Sequence, residues 1–135
     1  MYLYIIGATI VQFIFGAVWY SALFGKAWMR IMEVEQVSKE ELSKMQKDMM
    51  PFYFLQLFLT GFTTFAFANL LPVVPGMTPY HLAFWLWIGF VAPATVTTVL
   101  WGRTKKQFWL QQITIMLSAQ IIGMMLMAYI VSLGL

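Results

Sequence analysis

The feature that most constrains this chain is a set of four long apolar stretches without a single Asp, Glu, Lys or Arg. They cover about residues 3–24, 52–71, 82–101 and 108–133. A helix needs about 20 apolar residues to cross the hydrocarbon core of a bilayer, and each stretch is long enough. Backbone polar groups that face lipid must be satisfied within the segment, and the alternation of a membrane strand is missing. The stretches therefore predict four transmembrane helices.

Composition supports lipid as the solvent and narrows the chemistry. Only 10% of the residues are charged and 61% are hydrophobic, whereas an ordinary soluble domain is about a quarter charged. Cysteine is absent and His81 is the only histidine, so thiol catalysis, iron–sulfur clusters and a histidine metal site are excluded. We expect no catalytic residue, no cofactor and no metal. The first stretch lacks a basic region before it, so we expect it to remain in the mature protein rather than act as a signal peptide.

The connection between the first two stretches predicts a short amphipathic helix over residues 38–49. Ser38 and Glu41 have the spacing of a capping box. Leu42, Met45 and Met49 then recur at i, i+3 and i+7, which places them on one face of a helix. We expect this helix to lie on the cytoplasmic membrane surface. Thr78 and Pro79 likewise predict an N-cap and a first-turn proline at the start of the third span.

The basic residues predict the orientation. All eight lie in the first and third connections, and the second connection and both chain ends have none. Cytoplasmic loops carry the excess of Lys and Arg, so we expect both basic loops in the cytoplasm and both termini outside a bacterial inner membrane. The same loops are candidates for anionic lipid headgroups, and their confinement to loops argues against nucleic acid. The basic residues are Lys26, Arg30, Lys39, Lys44, Lys47, Arg103, Lys105 and Lys106.

Two motifs carry a resemblance to a known family. Residues 19–28 read WYSALFGKAW and residues 87–93 read WIGFVAP. Together they resemble a family of small bacterial inner-membrane proteins of unknown function, over nearly the whole chain. The resemblance implies four spans and a membrane location and brings no activity; the family usually has proline where this chain has Ala22. The motif residues are Trp19, Tyr20, Ser21, Phe24, Gly25, Lys26 and Trp28.

Polar side chains near the middle of three stretches form the candidate site. A polar group within lipid must find a partner, and these residues have matching depths. One interpretation is a polar site or pathway at the midplane. The other is hydrogen bonding that holds the helices together, which neutral amides and hydroxyls favour. The candidates are Gln12, Thr60, Thr63, Thr64, Ser118 and Gln120. We expect Gln12 and Gln120 to point into the bundle or into a contact between copies. Three further glutamines lie nearer the cytoplasmic side, and we expect them to cap or contact loops: Gln56, Gln111 and Gln112.

Pro93 predicts a bend in the third stretch. Proline has no N–H, and its ring crowds the carbonyl four residues earlier, which belongs to Gly89. Gly89 and Pro93 are therefore the candidate hinge. A moving gate and a static bend that shapes packing remain alternatives.

These observations predict an all-α membrane protein, with four transmembrane helices and a short cytoplasmic helix in one domain over residues 1–135. We expect a non-enzymatic protein that acts through helix contacts, as a homo-oligomer or with a membrane partner. The alternative is a compact channel or transporter for a small neutral or lipophilic solute. No span holds a carboxylate, which argues against a proton-driven pump. An enzyme would need an acid, base or nucleophile in a cleft, so that class ranks last.

Overall fold

The computed structural model describes residues 1–34 and 36–135. It confirms an all-α architecture, with no strand in the described residues. Four helices are long and apolar enough to cross a membrane, and their bounds fall within one helical turn of those predicted. They are Tyr2–Leu23, Met50–Val73, Pro79–Leu100 and Lys106–Ser132.

Each of the four spans is built from more than one kind of helix. The first span joins α1 (Tyr2–Val18) to a π-helical turn (Trp19–Leu23). Two short helices follow it, α2 (Gly25–Ile31) and α3 (Lys39–Asp48). The second span is α4 (Met50–Leu70) with a 3₁₀ turn (Leu71–Val73). The third is α5 (Pro79–Leu86), a π-helical turn (Trp87–Val91) and α6 (Ala92–Leu100). The fourth is a 3₁₀ turn (Lys106–Phe108) and α7 (Trp109–Ser132).

Two helices begin with the side-chain caps that the sequence predicts. The Ser38 hydroxyl accepts a hydrogen bond of 3.2 Å from the Glu41 amide at the start of α3. The Thr78 hydroxyl accepts one of 3.2 Å from the His81 amide at the start of α5. Each hydroxyl satisfies an amide that has no partner within its helix. The predicted loop helix is therefore present, while its position on the membrane surface stays a prediction.

The first and fourth spans are central, and the second and third flank them. Helix α1 packs against α4 and α7, and α7 packs against α5 and α6. We call the end with both termini the terminal end, and the opposite end the basic-loop end. The main apolar core lies at the terminal end and draws on all four spans. Its buried members are Ile5, Ala8, Phe67, Ala68, Leu82, Ala83, Met127, Ala128 and Val131.

The second span is packed along only half of its length. At the terminal end Thr64, Phe67 and Ala68 are buried, with 0%, 1% and 8% exposure. From residue 50 to 63, toward the basic-loop end, no residue is buried. Helix α4 therefore buries side chains only in its terminal half; in the other half Leu57, Thr60 and Gly61 are half-buried and the remaining residues are exposed.

The two basic loops contact each other. Lys105 Nζ lies 2.9 Å from Glu33 Oε1. Glu33 sits just after α2 with φ of 61°, and the amides of Glu33 and Val34 donate to the carbonyls of Arg30 and Met29. This is a Schellman motif with glutamate where glycine is usual. Both basic loops therefore lie at the same end of the bundle.

Candidate functional site

Gln12 clamps the first span to the second. Its Nε2 donates to Thr64 Oγ1 at 2.9 Å and to the Ala8 carbonyl at 3.1 Å. The Thr64 hydroxyl is fully buried and donates to the Thr60 carbonyl at 2.9 Å. Thr64 thus accepts one bond and donates another. The hydrogen bond joins the two side chains directly.

A second clamp joins the fourth span to the third. Gln120 Nε2 donates to Thr95 Oγ1 at 2.8 Å, and Thr95 is buried at 8% exposure. Gln120 Oε1 is also buried but has no hydrogen-bond partner among the described residues. Since the two ends of a carboxamide are assigned from their hydrogen bonds, either orientation of this amide leaves one polar group without a protein partner.

The predicted midplane residues therefore separate into pairs rather than one layer. Gln12 is hydrogen-bonded to Thr64, and Gln120 is hydrogen-bonded to Thr95. Thr95 was not among the residues predicted from the sequence. The Thr95 hydroxyl accepts the hydrogen bond of Gln120. The sequence signal that could have identified Thr95 is its depth in the third span, which matches the depth of Gln120 in the fourth. The other three candidates make no bond to another span among the described residues: Thr60 and Thr63 donate to carbonyls of their own helix and Ser118 is half-buried.

Two further buried polar groups have no partner within the described residues. Gln112 in α7 is only 7% exposed, and its Oε1 is unpaired. From the sequence we expected Gln112 to cap or contact a loop, and the structure shows a buried side chain instead. Trp87 Nε1, at the start of the π-helical turn in the third span, is also buried and unpaired. Such groups in a native structure usually receive a water or a ligand.

The family-motif residues build a corner at the basic-loop end of the first span. Trp19 Nε1 donates to the Ile115 carbonyl of α7 at 3.1 Å. The centroid of the Trp19 ring lies 5.4 Å from that of Phe15 and 4.7 Å from that of Phe24. The ring centroids of Tyr20 and Trp28 are 4.7 Å apart.

The corner is formed by a π-helical turn, in which the Phe24 amide donates to the Trp19 carbonyl at 3.0 Å. These contacts fix where the first span ends and α2 begins. The aromatic residues of the motif therefore have a structural role at this corner.

The third span departs from α-helical bonding at the predicted hinge. Its π-helical turn covers Trp87–Val91 and includes Gly89, and the Ala92 amide donates to the Trp87 carbonyl. Pro93 follows directly. Because proline crowds the carbonyl four residues earlier, a wider turn at this place accommodates the ring. Motion about this turn stays a prediction.

The exposed part of the second span carries a polar stripe, which we call the Gln56 stripe and define as Gln56, Thr60 and Thr63. Gln56 and Thr63 are exposed and Thr60 is half-buried. Gln56 Nε2 donates to Thr60 Oγ1 at 3.2 Å, and Thr60 and Thr63 donate to carbonyls of α4 at 2.9 and 3.0 Å. We expected Gln56 to meet a loop, but it bonds within its own span. Its carbonyl oxygen has no protein partner in the described residues.

This geometry defines a small four-span helical membrane protein, held by two amide–hydroxyl clamps and an apolar core at one end. The chain belongs to the family described as protein of unknown function (DUF1761), whose model matches residues 3–132. The description of the family names no activity. No curated protein and no solved structure matches the chain.

Proposed function

We propose that this protein works by lateral assembly within a bacterial inner membrane, by binding another copy of itself through its helices, and that it is not an enzyme. The observation that carries the proposal is the second span, in which no residue from 50 to 63 is buried. That surface holds intramembrane polar groups, and lipid offers them no hydrogen-bond partner. Another helix would supply both packing and partners.

The clamp between Gln12 and Thr64 also favours assembly over catalysis or flux. Gln12 and Thr64 satisfy each other and the backbone at 2.9 to 3.1 Å. Side chains with fixed, short interspan bonds hold a bundle in shape. In such a molecule the surface that remains open is the one available for a partner.

The proposed orientation has both termini outside and both basic loops in the cytoplasm. The positive-inside rule supports it, as does the contact between Glu33 and Lys105 that joins the two loops at one end. The third loop, with three basic residues and no acidic one, is the better candidate for anionic lipid headgroups. The first loop has five of each sign, which weakens its attraction to an anionic surface.

The test is energy transfer between copies in vesicles. Separate donor- and acceptor-labelled protein would be reconstituted together, and transfer would be followed as lipid is added. Assembly predicts transfer that exceeds the value for random proximity and persists on dilution. Transfer that falls to the random value at every lipid ratio would contradict self-assembly.

A second candidate function is passage of a small neutral solute, and one observation favours it. Three buried polar atoms along the third and fourth spans have no hydrogen-bond partner in the described part of the chain: Trp87 Nε1, Gln112 Oε1 and Gln120 Oε1. Water or a small polar solute would satisfy them. Swelling of vesicles that hold the protein, in gradients of glycerol and urea, tests this candidate. Rates equal to those of empty vesicles would reject it for those solutes.

A further inference from the structure

We propose that the Gln56 stripe is the contact surface for a second copy of this chain, in a parallel dimer with a two-fold axis along the membrane normal. The inference rests on the proposed function and adds to it a surface, an occupant and a symmetry. Asn69 is also an exposed polar residue of this span, but it stands alone near the terminal end, whereas the stripe places three hydrogen-bonding side chains on one face.

The stripe has the geometry of a helix–helix contact. Gln56, Thr60 and Thr63 follow at i, i+4 and i+7, so they share one face of α4. The face is open to a neighbour because Gln56 and Thr63 are exposed. Residues beside them on the same side, Phe52 and Leu59, are 57% and 47% exposed. Exposed apolar side chains therefore flank the polar stripe on one side.

The depth of Gln56 makes its open carbonyl costly in lipid. Gln56 lies six residues after the start of α4 at Met50, about 9 Å along the helix axis. Its Nε2 donates one N–H to Thr60, and no residue that the structure describes donates to its Oε1. A carbonyl at hydrocarbon depth gains from any donor that reaches it.

A second copy supplies such a donor in the required place. A two-fold contact brings the same patch of each subunit together. When the axis runs along the membrane normal, each residue meets its own counterpart at the same depth. A carboxamide has two donors and two acceptor sites, so the free N–H of one Gln56 can bond the Oε1 of the other. The stripe is thus complementary to itself, which an acidic or basic stripe would not be.

The absence of cysteine from the chain permits a clean test. Thr63→Cys puts the only thiol on the stripe, and Phe58→Cys puts it on another side of the same helix, where Phe58 is 67% exposed. The two positions are five residues apart, about 140° around the helix. Oxidation in native-like vesicles at high lipid dilution should link Thr63→Cys copies and leave Phe58→Cys copies unlinked. A disulfide needs Cα atoms within about 7 Å.

A second variant tests the chemistry of the contact. Gln56→Leu keeps the shape and apolar character of the span and removes the carboxamide. Added to Thr63→Cys, it should weaken dimerisation about threefold for each hydrogen bond lost and slow cross-linking. A Phe54→Leu change on another side of α4 should leave the rate unaltered and serves as the matched control.

The outcomes separate this inference from the proposed function. Cross-linking at Thr63→Cys but not at Phe58→Cys supports both. Energy transfer between copies together with linking at Phe58→Cys alone overturns the stripe and leaves self-assembly standing. Equal linking at both positions indicates random collision and overturns the stripe. Absence of both linking and energy transfer overturns the two proposals together.

Discussion

At the scale of single residues, Gln12 gives the most direct test of the clamp. Gln12→Leu removes the bond to Thr64, while Thr64 keeps its own donation to Thr60. Interspan hydrogen bonds average about 0.6 kcal/mol and reach about 1.7 kcal/mol. We therefore expect a loss in that range in the free energy of unfolding in detergent. Gln111→Leu is the control, since Gln111 is exposed on α7, and an equal loss there would contradict the clamp.

Gln112 is predicted to behave in the opposite way. It is buried and makes no hydrogen bond in the described residues, and an unsatisfied buried polar group costs about 1–3 kcal/mol. Gln112→Leu should therefore raise the melting temperature in detergent. A fall instead would mean that water or a solute satisfies the amide, and would strengthen the transport candidate.

Glu33 holds a left-handed backbone that glycine adopts at less cost. Its φ of 61° ends α2, and an L-residue there costs roughly 1–2 kcal/mol. Glu33→Gly and Glu33→Ala both lose the exposed pair with Lys105, but only Gly relieves the backbone. We expect Glu33→Gly to unfold at a higher denaturant concentration than Glu33→Ala. Equal midpoints would show that the turn stores no strain.

At the scale of elements, the π-helical turn in the third span is attributed to Pro93. Pro93→Ala restores an amide that can donate to the Gly89 carbonyl and removes the ring that crowds it. We expect residues 87–91 to return to α-helical bonding, seen by solid-state NMR or a structure of the variant. A π-helical turn that persists would assign the departure to packing around Trp87 instead.

Elements were predictable where one local rule decides them. Four charge-free apolar stretches predicted the spans, because segments of this length and composition are typical of transmembrane helices. The hydroxyls of Ser38 and Thr78 predicted where two helices begin. The π-helical turn at Trp19–Leu23 was not predicted. Its first residue, Trp19, donates to the Ile115 carbonyl, and this contact joins parts of the chain that no local pattern connects.

At the scale of the whole molecule, the depths of the polar residues were predictable from the sequence, but their hydrogen-bond partners were not. Gln12 and Gln120 were expected to point to other spans, and both do. Their division into two clamps depends on which spans are neighbours, because the first span packs between the second and the fourth. Depth alone therefore could not exclude one shared layer or identify Thr95 as the partner of Gln120.

The predicted topology has its own test. A reporter fused after Leu135 should behave as external, because all eight basic residues lie in two loops at the opposite end. A second reporter placed in the third loop, at Thr104, is the matched control and should behave as cytoplasmic. Reversed activities would contradict the assigned orientation.

The central claim is that protein, not lipid, covers the Gln56 stripe in the bilayer. Oxygen concentrates in hydrocarbon, so its collisions with a nitroxide report contact with lipid. We would compare one label at Thr63→Cys with one at Phe58→Cys in dilute vesicles. The account predicts markedly fewer collisions at position 63 than at position 58. Equal collision rates at the two positions would show that lipid covers both faces of the second span and would contradict the account.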